Sequence, residues 1–569
     1  MKKKHILSAI LFLMFYSANC YSQNWLWAKS SVGTGYDFGY SVSADASGNV
    51  FVTGRFFSPT ITLGSITLMN NDVSGSTEDI FIAKYDKSGN ILWAKSAGGT
   101  NADVGHSVST DATGNVFVAG YFSSPTITFG SATLINSDNL GRSIFIVKYD
   151  ANGNVLWAKS PIGGGEAISV STDAGGNVFI TGKFGSPTVT FGSTTLSNNG
   201  AFDIFIAKYD ANGNVLWAQS AGGVNNDDGI SVSADANGNV FVTGYFQSHT
   251  ITFGSTILTN VGPSLQGPPG GDFPDLFIVK YDANGNVLWA KSAGGTKDDY
   301  GWSLSADANG NVFITGSFES RTITFGSTIL TNTDTSSGSN DVFVAKYDAG
   351  GNMLWAKSAG GMNNDDGLSI SADINGNAFL TGSFQSSSIT FDSKTLIRPS
   401  NSNYPMFIVK YTANGNVICA STLAAGGFNG SVNVDLFGNA FIVGFFDANP
   451  FIVGIDTLQL TGVQNVFVAK YRCDGKDPAA INEIESNVTL DVFPNPVSNA
   501  VTIKFSSSAK GKLILNITNG LGAIVYSENK KDFSGEYVNT IDLSKQPKGI
   551  YFVEMILGNE RKTKKIILE

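Results

Sequence analysis

Carboxylates are the residues of this 569-residue chain whose spacing could do chemistry. Adjacent acids occur as Asp227 with Asp228 in NNDDG, Asp298 with Asp299 in KDDYG, and Asp365 with Asp366 in NNDDG, while Asp37 and Asp103 occupy the same joint elsewhere. Two chemistries use such groups. Calcium takes about six to eight oxygen ligands, often from flexible loops. A glycosidase flanks its scissile bond with two carboxylates, one acid and one base or nucleophile. Recurrence weighs against both, because one active site needs one special unit, whereas a turn that caps a strand recurs in every unit. These six Asp residues are therefore calcium candidates only, no other cofactor is expected, and no catalytic set is assigned.

Beyond residue 22 the histidines are His106 and His249, too far apart to show ligand spacing. Cys419 and Cys473 form neither a disulfide framework nor a metal motif, and whether they bond to each other turns on geometry. DxNGN turns resemble fragments of calcium loops but lack the later bidentate Glu, and a hairpin turn accounts for them. No nucleophile elbow or phosphate loop stands in a supporting context. The chain reads as non-enzymatic.

The elements that would position any such residue come from a repeat. A phrase close to NVLWAKSAGG places Trp at 27, 93, 157, 217, 289 and 355, with Cys419 in the next register. The spacings are 66, 64, 60, 72, 66 and 64 residues. A period above about 50 without a helical pattern points to propeller blades. The fourth unit gives four strand signals, at 230–235, 240–246, 276–282 and 287–292, several apolar on both faces as a sheet packed between two others requires. The first two strands meet at a turn that starts on Asp and places Gly three residues on, as at Asp45 and Gly48 or Asp235 and Gly238, with Asn following. Asp accepts turn N–H bonds there and Gly takes the positive φ.

The array's ends are complementary. It opens with a lone fourth-strand sequence at 25–30, and its last unit has strands at 431–435, 440–446 and 466–471 but no fourth. Pairing the two pieces would remove two exposed edges, so the expected fold is all-β: a seven-bladed β-propeller closed by the N-terminal strand. Residues 1–22 read as a signal peptide, with Lys2, Lys3 and Lys4 before a short apolar stretch, and no transmembrane helix is expected after its removal. Of 36 Lys+Arg and 46 Asp+Glu, the first 22 residues hold three Lys and residues 489–569 hold 11 basic and 8 acidic groups. Residues 23–488 keep 22 basic and 38 acidic groups, a net of −16, which excludes nucleic acid and anionic membranes as partners.

The repeat DANGNVFVTGYF…FIAKYDANGNVLWAKS resembles the bacterial SBBP-type β-propeller repeat, over nearly all of residues 24–475. The resemblance implies a propeller and no single activity. After a polar connector at 476–488 a different pattern begins. Phe493-Pro494-Asn495-Pro496, Gly522, Lys548-Gly549-Ile550-Tyr551 and Lys564-Lys565-Ile566-Ile567 resemble the type A C-terminal sorting domain of the type IX secretion system. That resemblance implies a small β-sandwich at 489–569, contact with the type IX machinery, and release from or anchoring on a Gram-negative cell. Four parts are thus expected: signal peptide 1–22, propeller 23–475, linker 476–488 and sorting domain 489–569.

The joints between second and third strands vary most, the longest being 260–275, and they emerge on the same face as the joints between units. Variable loops on a rigid scaffold are where binding concentrates. The expected function is a secreted or surface-held, non-catalytic binding or adhesion scaffold for an extracellular glycan or protein. The alternatives are a polysaccharide hydrolase or lyase using the loop carboxylates, and a purely structural surface component.

Overall fold

The structure, a computed structural model, describes residues 25–473 and 490–568, apart from 139–140, 263–272, 335–337, 401, 403, 424–429, 520–523 and 558–559. The proposed signal peptide, the linker, Gly522 and most of the 260–275 joint lie outside the described residues. The chain divides into two compact units, Met1–Lys476 and Asp477–Glu569. Among the described residues there is no helix.

The first unit is a series of four-stranded antiparallel sheets, consistent with a propeller. One of them runs Asp227–Ala234, Val240–Phe246, Asp275–Tyr281, Val287–Ala293 in that spatial order. Six such sheets follow one another along the chain among the described residues. A further sheet orders Ser431–Val434, Asn439–Phe446, Asn465–Arg472 and Trp25–Val32. Ala28 stands opposite Ala469, and Ser30 opposite Phe467. A short hairpin, such as Thr250–Phe253 with Thr256–Thr259, interrupts the path between second and third strands.

Local chemistry accounts for these strands. At the first turn Asp45 Oδ1 accepts the N–H groups of Ser47 and Asn49, both at 2.9 Å, and Gly48 takes φ 79°. The second and third strands are mostly apolar and almost wholly buried, as in Val50–Phe56, where Arg55 alone is half-buried, and Asp79–Tyr85. Each core lies between consecutive units: Phe51, Ile80 and Ile82 pack with Val116, Val118 and Phe145. The same arrangement joins the first unit to the last, Val42, Val52 and Phe81 packing with Phe441, Val443 and Val466. Each such side chain contributes about 1.5–3 kcal/mol.

Every full first strand contains a bulge. In Asp37–Ala44 the register shifts between Gly39 and Ser41, so Tyr40 is the extra residue. The backbone crowds its neighbour there: a Cβ on Gly54 would lie 1.9 Å from Phe38 O. Bulges re-aim side chains, and the re-aimed series is Tyr40, His106, Ile168, Ile230, Trp302 and Leu368.

Consecutive units are locked by a shared acceptor. Trp93 Nε1 and Lys84 Nζ both donate to Ala151 O of the next unit, at 3.1 and 3.0 Å. Trp157 and Lys148 do the same to Ala211 O, each at 3.1 Å. On the N-terminal strand Trp27 Nε1 donates to Lys87 O at 3.1 Å. The sixth unit has Cys419 in the Trp register, and there Cys419 is disulfide-bonded to Cys473 while Lys410 Nζ donates to Cys473 O. The covalent bond therefore stands in the register that Trp occupies in the other units.

The C-terminal unit is a five-stranded antiparallel arrangement: Asp491–Phe493, Ala500–Asn519, Ile524–Asp542, Gly549–Leu557 and Glu560–Leu568. The long second strand is irregular between Ser507 and Leu513. Its first part pairs with Asp491–Phe493 and its second part with Gly549–Leu557. Both parts feed one core, Val501, Ile503 and Phe505 with Leu513, Leu515, Ile517 and Val553. Beyond Asp542 two strands follow, Gly549–Leu557 and Glu560–Leu568.

A candidate binding arc on the inner strands

The paired carboxylates are not paired in space. Asp227 and Asp228 are neighbours on one strand, as are Asp365 and Asp366, and successive strand residues face opposite sides. Asp227, Asp299 and Asp365 occupy one position, the start of the first strand, with Asp37 and Asp103. Asp298 lies one residue before its strand, where NNDDG has Asn226. At the shared position the carboxylate accepts a serine hydroxyl, Ser248 for Asp227, Ser320 for Asp299 and Ser386 for Asp365, each at 2.7 Å. Burial pushes these groups up, to about 6 for Asp227 and Asp365 and about 8 for Asp299, against the lowering effect of the serines. They cap strands in the interior.

The second members turn elsewhere. Asp228 accepts Lys183 Nζ at 2.9 Å and Tyr245 Oη at 2.8 Å. Asp298 accepts Tyr300 Oη at 3.0 Å, and Asp366 accepts Asn340 Nδ2 at 3.2 Å. Among the described residues no group of three or more His, Cys, Asp or Glu is placed to hold a metal ion. His249 is exposed, whereas His106 is held between Tyr40 and Tyr121, with ring centroids 5.7 and 5.6 Å away. Burial lowers its pKa to about 4, so the imidazole is neutral at physiological pH.

Asp228, Tyr300 and the re-aimed residues belong to a continuous arc. The Arg55 guanidinium lies over Phe38 at 4.8 Å and Tyr40 at 5.4 Å. Next come His106 and Tyr121, with Arg142 over the Tyr121 ring at 4.7 Å and ion-paired to Glu166. Lys183, Asp228 and Tyr245 follow, then Tyr300 at 5.0 Å from Tyr245 and stacked on Trp302 at 4.8 Å. The arc thus spans five units. In the sixth and seventh the corresponding residues are Leu368, Ser383, Gly430 and Phe445. Register places it away from the Asp turns: Phe38 faces Arg55 across the strand pair, while the turn closes Ala44 on Val50. That end carries the joints between units.

Below the arc the inner strands enclose a cavity of about 330 Å³ lined by the re-aimed residues and by Ser41, Ser107, Ser169, Ser231, Ser303, Ser369 and Ser431. Six of these hydroxyl oxygens accept an N–H from the next inner strand, from Val108 on Ser41 through Val432 on Ser369, at 3.1–3.2 Å. Asp37–Ala44 meets the last unit in the same manner, Ala44 N donating to Asn433 Oδ1 at 3.0 Å. Sequence reasoning missed the arc and the cavity. The available signal was one variable column, Tyr-His-Ile-Ile-Trp-Leu-Gly, inside otherwise repeated first strands.

The tail residues are brought together where they are described. Asn495 Nδ2 donates to Lys565 O and its Oδ1 accepts Ile567 N, both at 3.0 Å, so the segment Pro494-Asn495-Pro496 is stapled to the last strand. Tyr551 Oη donates to Pro547 O at 2.6 Å beside Gly549, which has φ 151°. Lys564 and Lys565 lie on the last strand opposite Val553 and Phe552.

The first unit is an all-β repeat of four-stranded sheets. Residues 491–569 match the family described as the secretion system C-terminal sorting domain, which implies export by the type IX secretion system and a secreted or cell-surface location. Among curated proteins the chain is similar to the "Uncharacterized WD repeat-containing protein L264" of Acanthamoeba polyphaga mimivirus, 26% identical over 89% of this chain and 44% of that one. It is also similar to the "Regulatory protein FlaEY" of Caulobacter vibrioides, 24% identical over 58% of this chain and 36% of that one. The chain spans less than half the length of both relatives. Sqt1 from Chaetomium thermophilum is a solved structure with 7% identity and TM-score 0.36, covering 79% of this chain and 99% of its own. Among the described residues no helix is long and apolar enough to cross a membrane.

Proposed function

We propose that the chain is a seven-bladed SBBP-type propeller closed by its N-terminal strand, and an exported, non-catalytic binding scaffold. Its ligand meets the end of the ring that carries the joints. The observation that carries this reading is the arc from Arg55 to Trp302: aromatic rings and charged groups run across five consecutive units, on a frame whose other positions repeat. Aromatic faces with a few placed polar groups are the usual lining of a ligand site. The opposed directions of Asp227 and Asp228 weigh against an acid–base pair, and the serine-capped carboxylates weigh against calcium.

The ligand is a glycan. Stacked rings such as Tyr300 on Trp302 offer faces for sugar C–H surfaces, and the exposed Arg142 offers a hydroxyl partner. The test is a glycan and surface-protein array with the purified full chain, with and without chelator, followed by product analysis. Chelator-insensitive glycan capture without cleavage is expected, weakened about tenfold or more by Arg142→Ala combined with Tyr121→Ala. Glycan cleavage, capture of proteins only, or equal capture by the double variant would overturn it.

A further inference from the structure

The cavity under the arc differs from it in chemistry. No charged side chain lines it; the walls are serines, aliphatic residues, Tyr40, Trp302 and His106. Tyr40 and His106 come from consecutive units, whereas Trp302 comes from the fifth, so aromatic faces stand on different sides of the space. The serines are placed to donate. A hydroxyl has one proton and two lone pairs. In six of them the oxygen already accepts a backbone N–H, and among the described residues no protein acceptor takes the protons of Ser41 or Ser231.

A belt of hydroxyl donors could serve an anion or a neutral polyol. Charge decides between them: the lining holds no cation, and residues 23–488 carry a net of −16, so an anion would be repelled. A neutral group rich in oxygen acceptors fits, and flat aromatic walls suit the C–H faces of a pyranose. At about 330 Å³ the space lies at the small end of ligand sites, suited to the end of a chain rather than its middle. Because the re-aimed residues precede the serines along strands that run inward from the jointed face, a chain end entering there passes the collar before reaching the belt.

We infer that this axial cavity receives one neutral terminal sugar residue of the glycan, its hydroxyl and ring oxygens facing the serine belt, while the rest of the chain lies on the arc. The inference rests on the glycan reading above and names the part of the ligand that enters.

Competition with monosaccharides tests it. Methyl glycosides of glucose, mannose and galactose are titrated against array-positive neutral oligosaccharides bound to the full chain. At least one glycoside is expected to displace the oligosaccharide. Trp302→Ala should weaken oligosaccharide binding by about tenfold or more. Ile230→Trp, which fills the cavity, should abolish displacement in a protein whose thermal midpoint is retained. Oligosaccharide binding that survives both variants but is lost in the Arg142→Ala, Tyr121→Ala protein would overturn the terminal-residue site and leave the arc standing. Failure of every neutral glycan to bind would overturn both, as would selective capture of acidic ones for the cavity.

Discussion

Asp299 is fully buried, capped by Ser320, and held by burial at about 8. Asp275 is pushed up to about 7 for the same reason. An acid whose pKa is higher folded than unfolded binds more protons in the folded state. Its stabilising contribution is complete below the unfolded value near 3.8 and is lost as pH rises through the folded value. The thermal midpoint should therefore fall from about pH 5 to about pH 8, and Asp299→Asn should flatten the upper end of that fall. A midpoint that rises over this interval would contradict the capping role given to these carboxylates. Burial also keeps these carboxylates out of the ligand site, because an interior acid is not presented to a cation.

Among the elements, the junctions carry the most particular design. A Trp and a Lys on one sheet share a carbonyl on the next, and Cys419, bonded to Cys473, stands in the Trp register of the sixth sheet. Cys419→Ala is expected to cost about 2–4 kcal/mol. Denaturant unfolding with and without reductant checks this: reductant should lower the wild-type midpoint to that of the variant and leave the variant unchanged. Much of this level was legible in the residues. The Asp-to-Gly turns, the strand signals and the Trp register follow from local chemistry and short-range pattern. Cys419 in the Trp register and Cys473 after the last third strand were both visible, but their meeting depends on how one sheet stacks on the next, which spacing does not state. The adjacent acids show the same limit: NNDDG and KDDYG look alike, yet Asp299 corresponds to Asp227 and Asp298 to Asn226. The arc was hidden because Tyr40, His106 and Trp302 are scattered over more than 260 positions and converge only through bulges on the inner strands.

At the scale of the molecule, Trp25–Val32 pairs with Asn465–Arg472, so the lone fourth strand that opens the array meets the third strand that ends it. The inner strands can surround a cavity only if the first sheet packs on the last, as Val42 with Val443 and Ala44 with Asn433 do. The sorting tail implies a route out of the cell. Closure is the claim on which the arc, the cavity and the one-sided ligand surface depend. Its most direct test is a cross-link between the register partners Ala28 and Ala469. The full chain carrying Ala28→Cys and Ala469→Cys is oxidised, digested and mapped without reduction. The account predicts a monomer in which residue 28 is bonded to residue 469, beside an intact Cys419–Cys473 bond. Cross-links only between molecules, or a residue 28 thiol left free in folded protein, would contradict it.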